Sequence, residues 1–172
     1  MHSSLFNPLQ VGALTVPNRI LLAPLTRARA DAGHMPNALM AEYYAQRASG
    51  GLLITECTMV APNTSAFIAE PGIYSPEQVA AWKQVTSAVH AKGGRMALQL
   101  WHVGRVSHTS LQPEHAAPVA PSAIAADANA TVRNPDGQLG RAPCSLPRAL
   151  ETAEIADLIE DYRHATDRSR RA

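Results

Sequence analysis

The chain has two cysteines, Cys57 and Cys144, which form no disulfide framework and lack zinc-ligand spacing. Its seven histidines are scattered, and none falls in a His-Glu-x-x-His pattern, so the sequence offers no metal site. Charge of either sign is scarce. A net charge of +1 gives no electrostatic case for nucleic acid or an anionic membrane. No apolar run reaches the roughly 18 residues that span a bilayer. The opening residues 1–8 lack the basic start and long apolar stretch of a signal peptide. A reducing cytoplasm is the default expectation. The Gly-x-Gly-x-x-Gly fingerprint is absent after the first strand-like run, and so is a P-loop.

Apolar residues make up 46% of the 172, enough for a core in one domain or in part of a larger one. Leu9-Gln10-Val11 and Leu14-Thr15-Val16, joined by Gly12-Ala13, read as a hairpin with a two-residue turn. Arg19 to Ala23 reads as a continuous strand of the kind buried on both faces. A polar loop over 27–37 follows. Asn37 is a candidate cap for a helix from Ala38 to about Ser49, with Leu39, Met40, Tyr43, Tyr44 and Arg47 on one face. Gly50-Gly51 ends that helix, and Leu52 to Thr55 is the second strand.

Ser75-Pro76-Glu77-Gln78 reads as the capped start of the next helix. Val79, Trp82, Val85 and Val89 mark its buried face, and Lys92-Gly93-Gly94 closes it. Arg95 to Leu100 is the third strand. Residues 102–150 carry six prolines and read as a long excursion, a functional loop or a small subdomain. Thr152 is a candidate cap for a last helix with Ile155, Leu158, Ile159, Tyr162 and Ala165 on one face. Repeated strand–helix units imply parallel strands with helices outside. Both a (β/α)₈ barrel and a doubly wound sheet remain open, and the missing glycine fingerprint disfavours the second.

Two segments stand where a buried strand ends, the place where βα-repeat proteins bind ligands. They are Ala23-Pro24-Leu25-Thr26-Arg27 and Gln99-Leu100-Trp101-His102-Val103-Gly104-Arg105. Taken alone, Thr26 is a turn residue as readily as a ligand, and Gln99 could simply satisfy backbone groups. Trp101 could be core. His102, Arg105 and His108 read as residues that position the following loop.

These two segments occur in order with residues 40–48, Pro71-Gly72-Ile73-Tyr74-Ser75-Pro76-Glu77-Gln78 and Ala117-Pro118-Val119-Ala120-Pro121-Ser122-Ala123. In this the chain resembles the N-terminal half of the old yellow enzyme family, close to its N-ethylmaleimide reductase branch. The resemblance covers essentially all 172 residues. It implies an α/β fold, the N-terminal part of a (β/α)₈ TIM barrel with a short hairpin and about three βα units. Residues 1–172 would then form one partial FMN-binding domain, with 102–150 as its Pro-rich excursion.

The resemblance also implies FMN as cofactor, NADPH or NADH as reductant, and an activated alkene such as an enone or maleimide as substrate. By position, Ala23, Pro24, Leu25, Thr26, Cys57 and Gln99 would contact the flavin, Thr26 at its O4 edge and Gln99 at its pyrimidine edge. Phe67 and Trp101 would flank the substrate. Cys57 stands where close relatives carry Ala, and Phe67 where they carry Tyr. The family's substrate-binding His with a second His or Asn, its proton-donating Tyr, its Arg beneath the flavin and its phosphate-holding loops have no counterpart in the 172 residues. Three readings follow: half of an FMN-dependent ene-reductase that needs a complementary C-terminal half, a catalytically inactive fragment, or a module that pairs through open barrel edges with itself or with a full-length relative.

Overall fold

A computed structural model describes residues 4–172; the first three residues of the opening segment lie outside the described residues. The chain forms β1 (Leu9–Val11), β2 (Leu14–Val16), β3 (Leu21–Leu22), α1 (Ala38–Ala45), β4 (Leu52–Met59), α2 (Pro76–His90) and β5 (Met96–Trp101). Then come β6 (Val119–Ala120), β7 (Asn129–Arg133), β8 (Leu139–Pro143), β9 (Arg148–Ala149) and α3 (Ile155–Ser169). The β1–β2 hairpin is antiparallel, with Gly12 in the turn at φ +58°, a conformation that suits glycine.

Strands β3, β4 and β5 form one sheet in chain order, and both pairings are parallel. Each strand is followed by a helix, β5 only after the excursion. Sequential parallel neighbours with helices between them are the start of a barrel wall. The first strand is shorter than the sequence suggested and is not buried on both faces: Ile20 and Leu21 are each 45% exposed. It pairs only with β4 among the described residues, so its other edge is open. Strand β4 runs four residues further than expected, to Met59, and is buried almost throughout.

Local chemistry explains the first two helices. Asn37 accepts the Met40 N–H and caps α1. Ser75 and Gln78 form a reciprocal capping box, with Pro76 in the first turn of α2. Helix α1 stops at Ala45, short of Ser49, and the chain continues to Gly50 in tight turns closed by Arg47, Ala48 and Gly50 N–H groups. Leu39, read as part of the buried face, is 56% exposed; Met40 and Tyr44 carry that face instead. Thr152 does not cap α3. It opens a short 3₁₀ turn closed by Glu151 and Glu154, and α3 starts at Ile155. On α3 only Ala165 is fully buried, while Ile155 and Ile159 face outward.

The main core lies between the sheet and its helices. It joins Met40, Tyr44, Leu53, Ile73, Trp82, Val85, Val89 and Ala165. Trp82, Val85 and Val89 are wholly buried, each contributing roughly 1.5–3 kcal/mol from burial. Met96, Leu98 and Leu100 of β5 pack against this core. Strand side chains alternate, so Gln99 and Trp101 point to the opposite face of the sheet.

The excursion is a small subdomain. Its antiparallel β7–β8 hairpin packs Ala130 and Val132 with Cys144 in a second cluster. The parallel β6–β9 pair returns the chain to the sheet.

Candidate functional site

The register between β4 and β5 shifts between Ile54 and Cys57, a bulge in β4. Beyond it Cys57 stands opposite Gln99, and Met59 opposite Trp101. Without the shift, Glu56 would face Gln99. The bulge therefore decides which β4 side chain shares the inner face with Gln99.

Thr26 reaches the same place from the loop after β3. Its hydroxyl lies 3.2 Å from the Cys57 thiol. Thr26, Cys57 and Gln99 thus form one row across the ends of three adjacent strands. Ala23, Pro24 and Leu25 precede Thr26 along this edge and are all exposed. The Gln99 side-chain amide has no hydrogen-bond partner among the described residues, while its backbone N–H donates to Thr55 Oγ1. Burial pushes the Cys57 thiol up to about 11, so it stays protonated at neutral pH.

Phe67 and Trp101 stack with ring centroids 5.8 Å apart and planes 13° apart. They line a cleft of about 340 Å³ with Val103, Val106, Thr131 and Arg141. Thr131 and Arg141 come from the β7–β8 hairpin, so the excursion supplies one wall of the site. His102 accepts the Gly104 N–H, and Arg105 donates to Ile124 O and Ser122 Oγ. These contacts shape the loop after β5, as the sequence suggested.

Two buried carboxylates that sequence reading missed support the site. Glu56 Oε2 accepts the backbone N–H groups of Arg27 and Ala28, both at 2.9 Å. Glu70 Oε1 accepts those of Ala66 and Phe67, at 2.8 and 3.1 Å. Both residues are at most 1% exposed. Burial raises the Glu56 pKa; the two N–H donors and nearby Arg27 pull it down, and the Glu70 charge adds to the rise. A glutamate inside the apolar run Leu52-Leu53-Ile54-Thr55-Glu56-Cys57 was the available signal.

The open edge, the free amide and the flat aromatic stack suit a planar ring system with polar edges. Cationic partners for a phosphate are not offered by the same loop. Arg29 donates to the carbonyls of Arg27 and Ala28, and the Arg27 guanidinium lies 5.4 Å over the Tyr43 ring.

Residues 4–172 match the model of the NADH:flavin oxidoreductase / NADH oxidase family. The chain is 48% identical to 12-oxophytodienoate reductase 7 of Oryza sativa subsp. japonica over 165 residues, 95% of this chain and 41% of that protein. The structure of morphinone reductase in complex with tetrahydroNAD superposes with a TM-score of 0.94 at 53% identity, over 98% of this chain and 46% of that one. The old yellow enzyme homologue from Zymomonas mobilis does so with a TM-score of 0.91 at 43% identity, over 98% and 45%. Those structures are TIM barrels of the old yellow enzyme type, and this chain spans less than half their length.

Proposed function

Since the chain belongs to the NADH:flavin oxidoreductase / NADH oxidase family, we propose that it forms the flavin-facing N-terminal part of an FMN-dependent NAD(P)H oxidoreductase acting on activated alkenes. Enones and maleimides are the substrate class. The observation that carries this reading is the row Thr26–Cys57–Gln99 beside the Phe67–Trp101 stack at one end of the parallel sheet.

FMN, when bound, supplies the hydride relay between the nicotinamide and the alkene. The Ala23-Pro24-Leu25 edge and Cys57 would line its ring. The Thr26 hydroxyl and the Gln99 amide would hydrogen-bond its polar groups. Phe67 and Trp101 form the apolar wall against which the alkene lies, and exclude water there. Arg29 donates to the Arg27 carbonyl and the Arg27 guanidinium lies over the Tyr43 ring, so a bound phosphate would draw its charge partners from outside this loop.

A second reading refines the first. The chain spans 46% of the morphinone reductase chain, and β3 and β5 each have one side unpaired among the described residues. Unpaired strand edges seek partners. Residues 1–172 alone are therefore catalytically silent, and turnover needs the rest of the barrel.

Titrating residues 1–172 with FMN, followed by flavin fluorescence, is expected to give weak or no saturable binding. Adding the missing barrel half of a relative, in cis or as a second chain, is expected to restore yellow colour and NADPH-dependent enone reduction. No flavin binding by the completed barrel overturns the first reading. Stoichiometric binding with turnover by residues 1–172 alone overturns the second.

A further inference from the structure

We propose that Glu56 and Glu70 are positioning residues of the flavin face, each carboxylate clamping one site loop through two consecutive backbone N–H groups. The inference rests on the function proposed above for the loops they hold. Neither residue lines the Phe67–Trp101 cleft. Glu56 lies in the β4 bulge and reaches the N–H groups directly after Thr26. Ala28 is in the left-handed region at φ +49°, and a carboxylate gripping two successive N–H groups is what holds a loop there. The Glu56 backbone is itself anchored, its N–H donating to the Tyr44 hydroxyl on α1. The chain from α1 through β4 to Thr26 is therefore one connected support.

Glu70 repeats the device for the other half of the site. Its Oε1 grips Ala66 and Phe67 N–H, and so sets the ring that stacks on Trp101. Its own carbonyl oxygen lies 2.7 Å from His34 Nδ1, which fixes the position of the clamp.

Among the described residues each carboxylate uses one oxygen and leaves the other buried without a hydrogen bond: Glu56 Oε1 and Glu70 Oε2. His34 Nδ1 lies 4.0 Å from Glu70 Oε2. A buried acceptor without a donor is costly, which sets these two carboxylates apart from the rest of the core. What the two groups have in common is what they hold: the Thr26 loop and the Phe67 loop, two walls of the same face.

The test uses residues 1–172 and compares wild type with Glu56→Ala, Glu56→Gln and Glu70→Ala. In the wild type, hydrogen exchange is expected to show the Arg27, Ala28, Ala66 and Phe67 amides protected, although they lie outside the strands and helices. Glu56→Ala is expected to speed alkylation of Cys57 by about tenfold, as expected for a lost charge-assisted pair, with Cys144 unchanged. Glu56→Gln keeps one carbonyl acceptor and is expected to restore the wild-type rate. Glu70→Ala is expected to leave Cys57 protected and to make Trp101 more accessible to a fluorescence quencher, Trp82 staying shielded.

In the completed barrel, Glu56→Ala is expected to weaken FMN by about tenfold and Glu56→Gln to recover it. Equal acceleration at Cys57 and Cys144 means general unfolding and overturns the inference, as does no acceleration at all. If Glu56→Ala does not fold, unprotected wild-type amides or a labile Cys57 in Glu56→Gln overturn it equally. Absence of FMN binding by the completed wild-type barrel overturns the proposed function, while the amide and thiol results judge the clamps separately.

Discussion

The Thr26 hydroxyl and the Cys57 thiol meet at 3.2 Å although 31 residues separate them in the chain. One lies on the loop after the first parallel strand, the other inside the second strand. Their contact joins the edge 23–26 to the row that continues to Gln99. Cys57 is 3% exposed, and among the described residues this hydroxyl is its one side-chain hydrogen-bond partner.

The Cys57 thiol is therefore expected to be unreactive. Burial lifts it to about 11, and the thiolate is the reacting form. Alkylation at pH 8 followed by mass spectrometry should leave Cys57 largely unmodified in the native chain and modify it fully in denaturant. Rapid native labelling would contradict both its burial and its protonation.

Gln99→Ala should separate binding from folding. The side-chain amide has no partner among the described residues, so its loss removes no internal hydrogen bond. The melting temperature should stay near that of the wild type. In the completed barrel, FMN affinity should fall by about tenfold, the usual worth of a hydrogen bond at a polar ring edge. An unchanged dissociation constant would remove Gln99 from the site.

Glycine substitutions should rank by what a new methyl meets. A Cβ at Gly51 would run into the backbone carbonyl of Asn18, which cannot swing aside. Gly51→Ala should cost about 1–3 kcal/mol and lower the urea midpoint. At Gly93 a Cβ would meet nothing within 4 Å, but φ is +77°. Gly93→Ala should cost about 1 kcal/mol from backbone strain alone. Equal midpoints for the two variants would refute the ranking.

Glu56 should give the fold a distinctive pH response. Burial raises its folded pKa above the ordinary 4.5, against the Arg27 and Ala28 N–H donors and the Arg27 charge, with Glu70 adding to the rise. A raised carboxyl pKa contributes stability that is fully present below the unfolded value and is lost as pH climbs through the folded one. Wild type should therefore lose stability relative to Glu56→Gln as pH rises from about 4.5 toward neutrality. Melting curves for both proteins across that range would show it; a constant difference would mean that Glu56 does not titrate there.

The sequence by itself determined what depends on near neighbours. Asn37 with Met40, and Ser75 with Gln78, are caps closed within three residues, and both form as their spacing implies. The spacing of Trp82, Val85 and Val89 sets the buried face of α2, and the alternation of strand and helix implies the parallel sheet found in the structure. The signature segments over 23–27 and 99–105, which hold Thr26 and Trp101, were legible as motifs. Where a single-residue signal was read without its tertiary surroundings, it misled. Thr152 looked like a cap, but Glu151 and Glu154 close that turn, and Arg148 pairs with Glu154 through both terminal guanidinium nitrogens.

Tertiary structure alone decided how the site residues meet. The β4 bulge that sets Cys57 opposite Gln99 is a choice of register between two strands, and no local pattern encodes it. The Phe67–Trp101 stack and the β7–β8 wall over it depend on where the excursion folds back. Glu56 and Glu70 find their donors 28 or 29 residues away in one case and 3 or 4 in the other. A buried carboxylate will take whatever N–H groups packing brings to it, since leaving it unpaired is the costlier state. Which groups those are is settled only when the whole sheet and its helices have closed around them.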